Sequence, residues 1–186
     1  MLIEIRQDTP WSRALTAARI TVHKRSLGDK EPSDEWKRKI LLARHSPIRL
    51  VEYSIMIMGI PYWVAMHLVR HHEGVQFFVA TQRDDRVEHD RSRKDMPQGT
   101  LVDMLISANA EALMNISAKR LCRLAAPETR RTWEAVVREL ERVDPILAEK
   151  CVPRCIVEGR CHELTPCDYC ESVLAMVQKE RYEKKE

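Results

Sequence analysis

The chain is predicted to be an α+β protein, on three observations. Short runs rich in apolar and β-branched residues, bounded by Gly or Pro, read as buried strands. Longer stretches whose apolar residues recur every three or four positions read as helices. Five of the six cysteines fall between Cys151 and Cys170, which sets the last part of the chain apart from the rest.

Thr9-Pro10 reads as an N-cap followed by proline at the first helical position, with Trp11, Leu15, Ala18 and Val22 spaced along one face. A second helix starts after Pro32, capped by Ser33 or Asp34, and runs through Trp36, Ile40 and Leu41 to about Ala43 before His45-Ser46-Pro47 ends it. The stretch from Arg49 to Gly59 is predicted to be a buried strand. Pro61 then opens a helix to about Val69, with Arg70-His71-His72 at its C-terminal end and Gly74 as terminator.

Val75 to Ala80 is a second, shorter strand. Leu101, Met104, Leu105, Ala108, Ala112 and Leu113 read as the stripe of one helix, and Trp133, Val136, Val137 and Leu140 as that of another after Pro127. Met56, Met58 and Met66 are expected in the core, and Lys179 to Glu186 as a solvated tail. The domain division expected is 1–143 as an α+β domain, and 144–186 as a cysteine-rich segment, either part of that domain or a small lobe.

The 186 residues include 31 Lys+Arg against 28 Asp+Glu, a formal charge of +3, and 44% are apolar. That balance describes one globular domain and gives no basic face for nucleic acid. The densest candidate, Arg83 to Asp95, cancels itself with five basic and five acidic residues. The most apolar stretch, Leu50 to Val69, is interrupted by Glu52, Gly59, Pro61 and His67, which argues against a membrane span. The opening residues lack the features of a secretory signal, so the expected location is the cytoplasm. No GxGxxG and no phosphate loop is present.

Arg70, His71, His72, Gln76, Thr81, Gln82, Arg83 and Arg86 lie within a short span, a set of guanidiniums, imidazoles and hydroxyls suited to phosphate and heterocycle recognition. Here the sequence resembles the flavin-dependent thymidylate synthases (ThyX), whose signature is R-H-R-x-x-S-x-N-x-x-S-x-R. Arg70-His71 matches its start, and His45 falls at the spacing of a flavin-contacting His. Arg120-Leu121-Cys122-Arg123-Leu124-Ala125-Ala126-Pro127-Glu128-Thr129-Arg130 follows the family's R-L-C-x-x-A-Q-x-E-I-R with substitutions, and Asn115 matches a flavin-contacting Asn. Three departures stand out. His72 replaces the second Arg, the interval from Arg70 to Arg83 is one residue too long, and Glu111 sits where a flavin-contacting Arg is expected.

The resemblance implies a small mixed sheet with flanking helices, FAD as cofactor, dUMP as substrate, methylenetetrahydrofolate and NADPH as co-substrates, and a homotetramer with sites built across subunits. By position it implies Arg120 and Arg83 as the catalytic arginines, which stabilise negative charge on the pyrimidine ring. It implies His67, Thr81, Gln82, Arg83 and Arg120 as the nucleotide-binding set, and His45, Arg70, His71, His72 and Asn115 as the flavin-binding set. The implied reaction is reductive methylation of dUMP to dTMP. Two other readings stay open: a divergent enzyme that modifies the pyrimidine differently, for instance by hydroxymethylation, and a non-catalytic nucleotide- or nucleic-acid-binding protein with a zinc lobe.

The cysteine segment, C-x3-C-x5-C-H-x4-C-x2-C, suits free thiols or a metal in a reducing compartment better than disulfides. Cys151, Cys155, Cys167 and Cys170 are the expected ligands of a structural zinc, with Cys161 or His162 as substitute. An iron–sulfur cluster and a lobe of packed thiols are the alternatives. Cys122 is expected to be structural.

Overall fold

A computed structural model describes residues 1–86, 88 and 92–185. Its centre is a four-stranded sheet of β1 (Leu2–Gln7), β2 (Glu52–Pro61), β3 (Val75–Val79) and β4 (Leu101–Asn109) in the order β1-β2-β4-β3. Every pairing is antiparallel, so the sheet is not mixed. The helices are α1 (Trp11–Ile20), α2 (Asp34–Leu42), α3 (Tyr62–Leu68), α4 (Ala110–Arg120), α5 (Pro127–Val143), α6 (Pro145–Lys150), α7 (Arg154–Glu158) and α8 (Val173–Glu183).

The α+β class holds, and most elements fall where the sequence puts them. Ser33 caps α2 by accepting from Trp36 N, and Pro61 precedes α3. The clearest correction is Leu101–Asn109, a strand instead of the first half of a helix. Buried Val102, Met104, Ile106 and Ala108 alternate with more exposed neighbours, a two-residue period that overrides the three- to four-residue spacing also present. As an inner strand β4 bonds β2 on one side and β3 on the other. β1, which the sequence reading did not identify, pairs with β2 from Leu2 opposite Met58 to Gln7 opposite Tyr53.

One sheet face, with Tyr53, Ile55, Ile57, Met104 and Ile106, packs into a single large core with Trp11, Leu41, Leu113 and Trp133. Met66 packs at the edge of this core, but Met56 and Met58 alternate with the buried positions of β2 and are only half-buried. Asp144 anchors that core. Its Oδ2 accepts from Trp11 Nε1 and from Tyr53 Oη, each at 2.6 Å, and its Oδ1 caps α6 from Leu147 N.

Gly74 is not a helix terminator, because α3 ends at Leu68. It turns the chain into β3 with φ +66°, and a Cβ there would collide with the Asn109 side chain. The expected solvated tail is a correction as well. α8 runs to Glu183, Tyr182 is buried, and fully buried Lys150 donates from Nζ to the carbonyls of Tyr182 (2.5 Å) and Lys184 (3.1 Å).

Candidate functional site

α4 positions the candidate site. Asn109, at the end of β4, accepts from Ala112 N (2.9 Å) and so starts the helix as the strand stops. Arg120 stands at its other end. There Arg120 Nε donates to His71 Nε2 at 3.0 Å, and Nη2 donates to the main-chain carbonyl of His67. α3 delivers His67 and the turn after it delivers His71.

The His67 ring meets Thr129 Oγ1 through Nδ1 (2.9 Å) and stands edge-on to Trp63, which ties it to α5. Burial pushes His71 down to about 4, helped by the charges of Arg120, His72 and Lys119. A neutral His71 that accepts at Nε2 carries its proton on Nδ1. Burial, then Arg120 and Arg70, lower His67, and burial with Arg70 lowers Arg120. No carboxylate among the described residues forms an ion pair with Arg70, Lys119 or Arg120. An unbalanced cationic group of this kind is a site for an anion.

A second group borders α4 on its N-terminal half. Arg44 donates from Nη1 to Asn115 Oδ1 (2.7 Å) while holding a left-handed backbone (φ +50°), a conformation that costs a non-glycine residue. His45 follows it and is exposed. Arg49 pairs with Glu111 at 2.6 Å, so the unexpected acid at position 111 has its own counter-charge. Neither Arg44 nor Arg49 was singled out by the sequence reading; their proximity to His45 was the available signal.

The remaining expected residues are dispersed. Thr81, Gln82 and Arg83 follow β3, and Arg83 forks onto Asp85 (2.9 and 2.7 Å), with no hydrogen bond to the Arg120 group. Thr81 Oγ1 accepts from Arg83 N at 3.2 Å. Gln82 Nε2 is buried with no partner among the described residues. Part of the Arg83–Asp95 charge run lies outside the described residues. Exposed His72 borders a groove of about 390 Å3 with Glu52, Gln76, Ser107 and Asn109, a size that suits small molecules.

Cys151 is separated from the other expected metal ligands. It is buried in the main core, which pushes its thiol up to about 12. Cys155, Cys167 and Cys170 instead border a common small cavity with Cys122, Cys161 and His162. All six cysteines are free thiols. Sequence spacing could not reveal Cys122 as part of this group, because it arrives from the end of α4.

Fold and site together define an α+β scaffold with a cationic group at the C-terminal end of α4. Residues 80–146 match the family model described as thymidylate synthase complementing protein, Thy1. No curated protein matches the chain. Among solved structures, ThyX from Helicobacter pylori complexed with FAD and dUMP is 18% identical, with a TM-score of 0.67 over 82% of this chain and 100% of that one. The UMP/dUMP methylase PolB from Streptomyces cacaoi, bound with 5-Br dUMP, is 15% identical, with a TM-score of 0.62 over 80% of this chain and 94% of that one. The likeness to the Thy1 family thus covers residues 80–146, and the likeness to the ThyX and PolB structures is one of fold.

Proposed function

We propose that the chain is a flavin-dependent enzyme that modifies dUMP, and that its reaction is reductive methylation to dTMP with methylenetetrahydrofolate as carbon donor and NADPH as reductant. The observation that carries this reading is the Arg120–His71–His67 group. Arg120, the member of the group that lies in the matched segment, falls where the resemblance puts the nucleotide-holding arginine, and it has no ion-pair partner among the described residues. The relatives of this fold are described with dUMP or its 5-bromo analogue bound, two of them with FAD.

Arg120 binds the pyrimidine and offsets negative charge that develops on the ring. Neutral His71 fixes the plane of the guanidinium, as a neighbour does when it holds one edge of a forked donor. Arg83, freed from Asp85, and Thr81 hold the nucleotide phosphate, with Gln82 beside them. The donors that fit a flavin are Asn115, Arg44, His45, Arg70, His71 and His72, cationic and amide groups of the kind a pyrophosphate requires. FAD, when bound, supplies the hydride.

The face of the sheet turned from the core carries Met56, Met58, Leu105 and exposed Phe78. Other copies of the chain cover it in a homotetramer. Residues 144–186 are read as a cysteine-rich segment of the same domain as residues 1–143, since Ile146, Leu147 and Cys151 pack in its core.

The second reading, hydroxymethylation, rests on Glu111, an acid in the flavin-contacting region. The test is the visible spectrum of the protein with FAD, with and without dUMP, followed by mass analysis of the product. A flavin band that shifts with dUMP, and dTMP as product, are expected. Hydroxymethylated product without dTMP overturns the methylation reading, and absence of flavin binding overturns both.

A further inference from the structure

Between Arg13 and Lys30 the chain carries five basic residues, Arg13, Arg19, Lys24, Arg25 and Lys30, and a single acidic one, Asp29. That local excess is larger than the whole chain's surplus of +3, so the near-neutral composition hides a concentrated positive region. None of the five forms an ion pair with a carboxylate among the described residues. The nearest acid in sequence, Glu31, is engaged elsewhere, accepting from Ser12 N at 3.2 Å and lying 3.7 Å from Lys37 Nζ.

The local fold gathers these residues. α1 ends with His23 in the left-handed region (φ +58°), and Lys24 N donates back to the Arg19 carbonyl at 2.9 Å, which turns the chain out of the helix. Arg19 Nε then donates to the Arg25 carbonyl (2.7 Å), and the hydroxyls of Thr16 and Ser26 meet at 3.0 Å. Residues 21–26 are thereby folded back on the last turns of α1. Every residue from Ile20 to Glu31 is exposed. Among them are three large aliphatic side chains, Ile20, Val22 and Leu27, at 60%, 58% and 43% exposure.

Helix electrostatics account for little of this charge. Only Arg19 stands in the last turn of α1, where a cation offsets the carbonyl dipoles. Arg13 lies in the first turn, the end that disfavours a cation, and Lys24, Arg25 and Lys30 lie beyond the helix. The charges therefore suit an anion outside the chain. A lipid surface fits better than a nucleic acid, because phosphate contacts make no use of three exposed aliphatic side chains and no Phe, Trp or Tyr lies between Arg13 and Lys30 to stack a base. Aliphatic side chains set among Lys and Arg are the composition that enters the headgroup boundary of an anionic bilayer.

We propose that the end of α1 and the loop after it dock the chain on the surface of an anionic lipid bilayer, with Ile20, Val22 and Leu27 entering the boundary and Lys24, Arg25 and Lys30 facing the headgroups. The chain lies on the bilayer and does not cross it. Trp11 and Ala14 of α1 pack in the core, on the opposite side of the sheet from Met56, Met58 and Phe78, so a contact between copies through that outer face leaves this surface open. The inference stands apart from the nucleotide chemistry.

The test is sedimentation of the full chain with vesicles of phosphatidylcholine alone and of phosphatidylcholine mixed with phosphatidylserine, at low and high salt. Binding only to the anionic vesicles, weakened by salt, is expected. The double variant Lys24→Gln/Arg25→Gln should bind them about 30-fold more weakly, the worth of two cations near such a surface. Val22→Ser/Leu27→Ser, which keeps the charge, should bind severalfold more weakly. All four positions are exposed, and circular dichroism checks that the fold is kept. Equal binding to neutral vesicles, no binding to either kind, or unchanged binding in either double variant overturns the proposal. So does tighter binding to a single-stranded oligonucleotide than to the anionic vesicles, if Lys24→Gln/Arg25→Gln abolishes it, since the surface would then serve a nucleic acid.

Discussion

Arg120 Nε donates to His71 Nε2 across 3.0 Å, so the guanidinium at the end of α4 meets an imidazole that must be neutral to accept. The placement of the Arg120 guanidinium thereby depends on a residue from the turn after α3. Arg120→Ala should leave the fold intact and lower kcat/KM by about 100-fold or more, the scale of losing a preorganised donor to developing charge. Arg120→Lys should fail almost as badly, since an ammonium cannot fork between His71 and a substrate. Turnover with dUMP, with circular dichroism as the control for folding, checks both.

His71 gives a pH dependence with a defined sign. Its value falls from the ordinary 6.5 to about 4 on folding, so below 6.5 the unfolded chain binds a proton that the folded chain refuses. Stability from this group is complete above about 6.5 and is lost as pH falls toward 4. Denaturant unfolding from pH 7 to 4 should show this loss, and His71→Gln should flatten it. An NMR titration that places His71 near 6.5 would refute the assignment.

Asp144 holds two aromatic donors and a helix start with one carboxylate. Asp144→Ala leaves Trp11 Nε1 and Tyr53 Oη buried without an acceptor and removes the cap of α6. A cost of about 3–5 kcal/mol is expected, read from chemical denaturation.

In the proposed function Asn115 is the flavin-side counterpart of Arg120. Its Oδ1 holds Arg44 at 2.7 Å, so Asn115→Ala removes an amide and frees a guanidinium at once. Flavin retention should weaken about 10-fold, the worth of one charge-assisted hydrogen bond, when measured by equilibrium dialysis. An unchanged affinity would place the flavin elsewhere on the chain.

Lys150 ties the C-terminal helix to the core, and burial pushes its ammonium down to about 8. Between about 8 and the ordinary 10.5 the unfolded chain holds more protons, so this group's contribution to stability rises with pH there. Removal of residues 179–186 should expose Lys150 and strip Tyr182 from the small apolar cluster it forms with Val152, Ile156 and Ala175. A loss of about 3 kcal/mol is expected, mostly from Tyr182, with the transition moved to lower denaturant.

Local signals in the sequence were sufficient for α2, α3, α5 and β3, because caps, prolines and periodicity act over a few residues. Asn115 and Arg120 lie on one helix, α4, so their spacing along it is a local feature of the sequence. Ambiguity entered where two periods fit one stretch, as in Leu101–Asn109, and only the pairing of β4 with both β2 and β3 settled it.

By itself, then, the sequence determined the α+β class, the family resemblance and the presence of a thiol-rich segment. The tertiary structure decided which distant groups meet. Arg44 reaches Asn115 from 71 positions away, Arg120 reaches His71 across 49, and Cys122 joins four cysteines of the C-terminal segment while Cys151 stays in the core. Such encounters depend on long-range burial of apolar surface, to which no local spacing gives access, and the loop entropy they cost is repaid only in the assembled core.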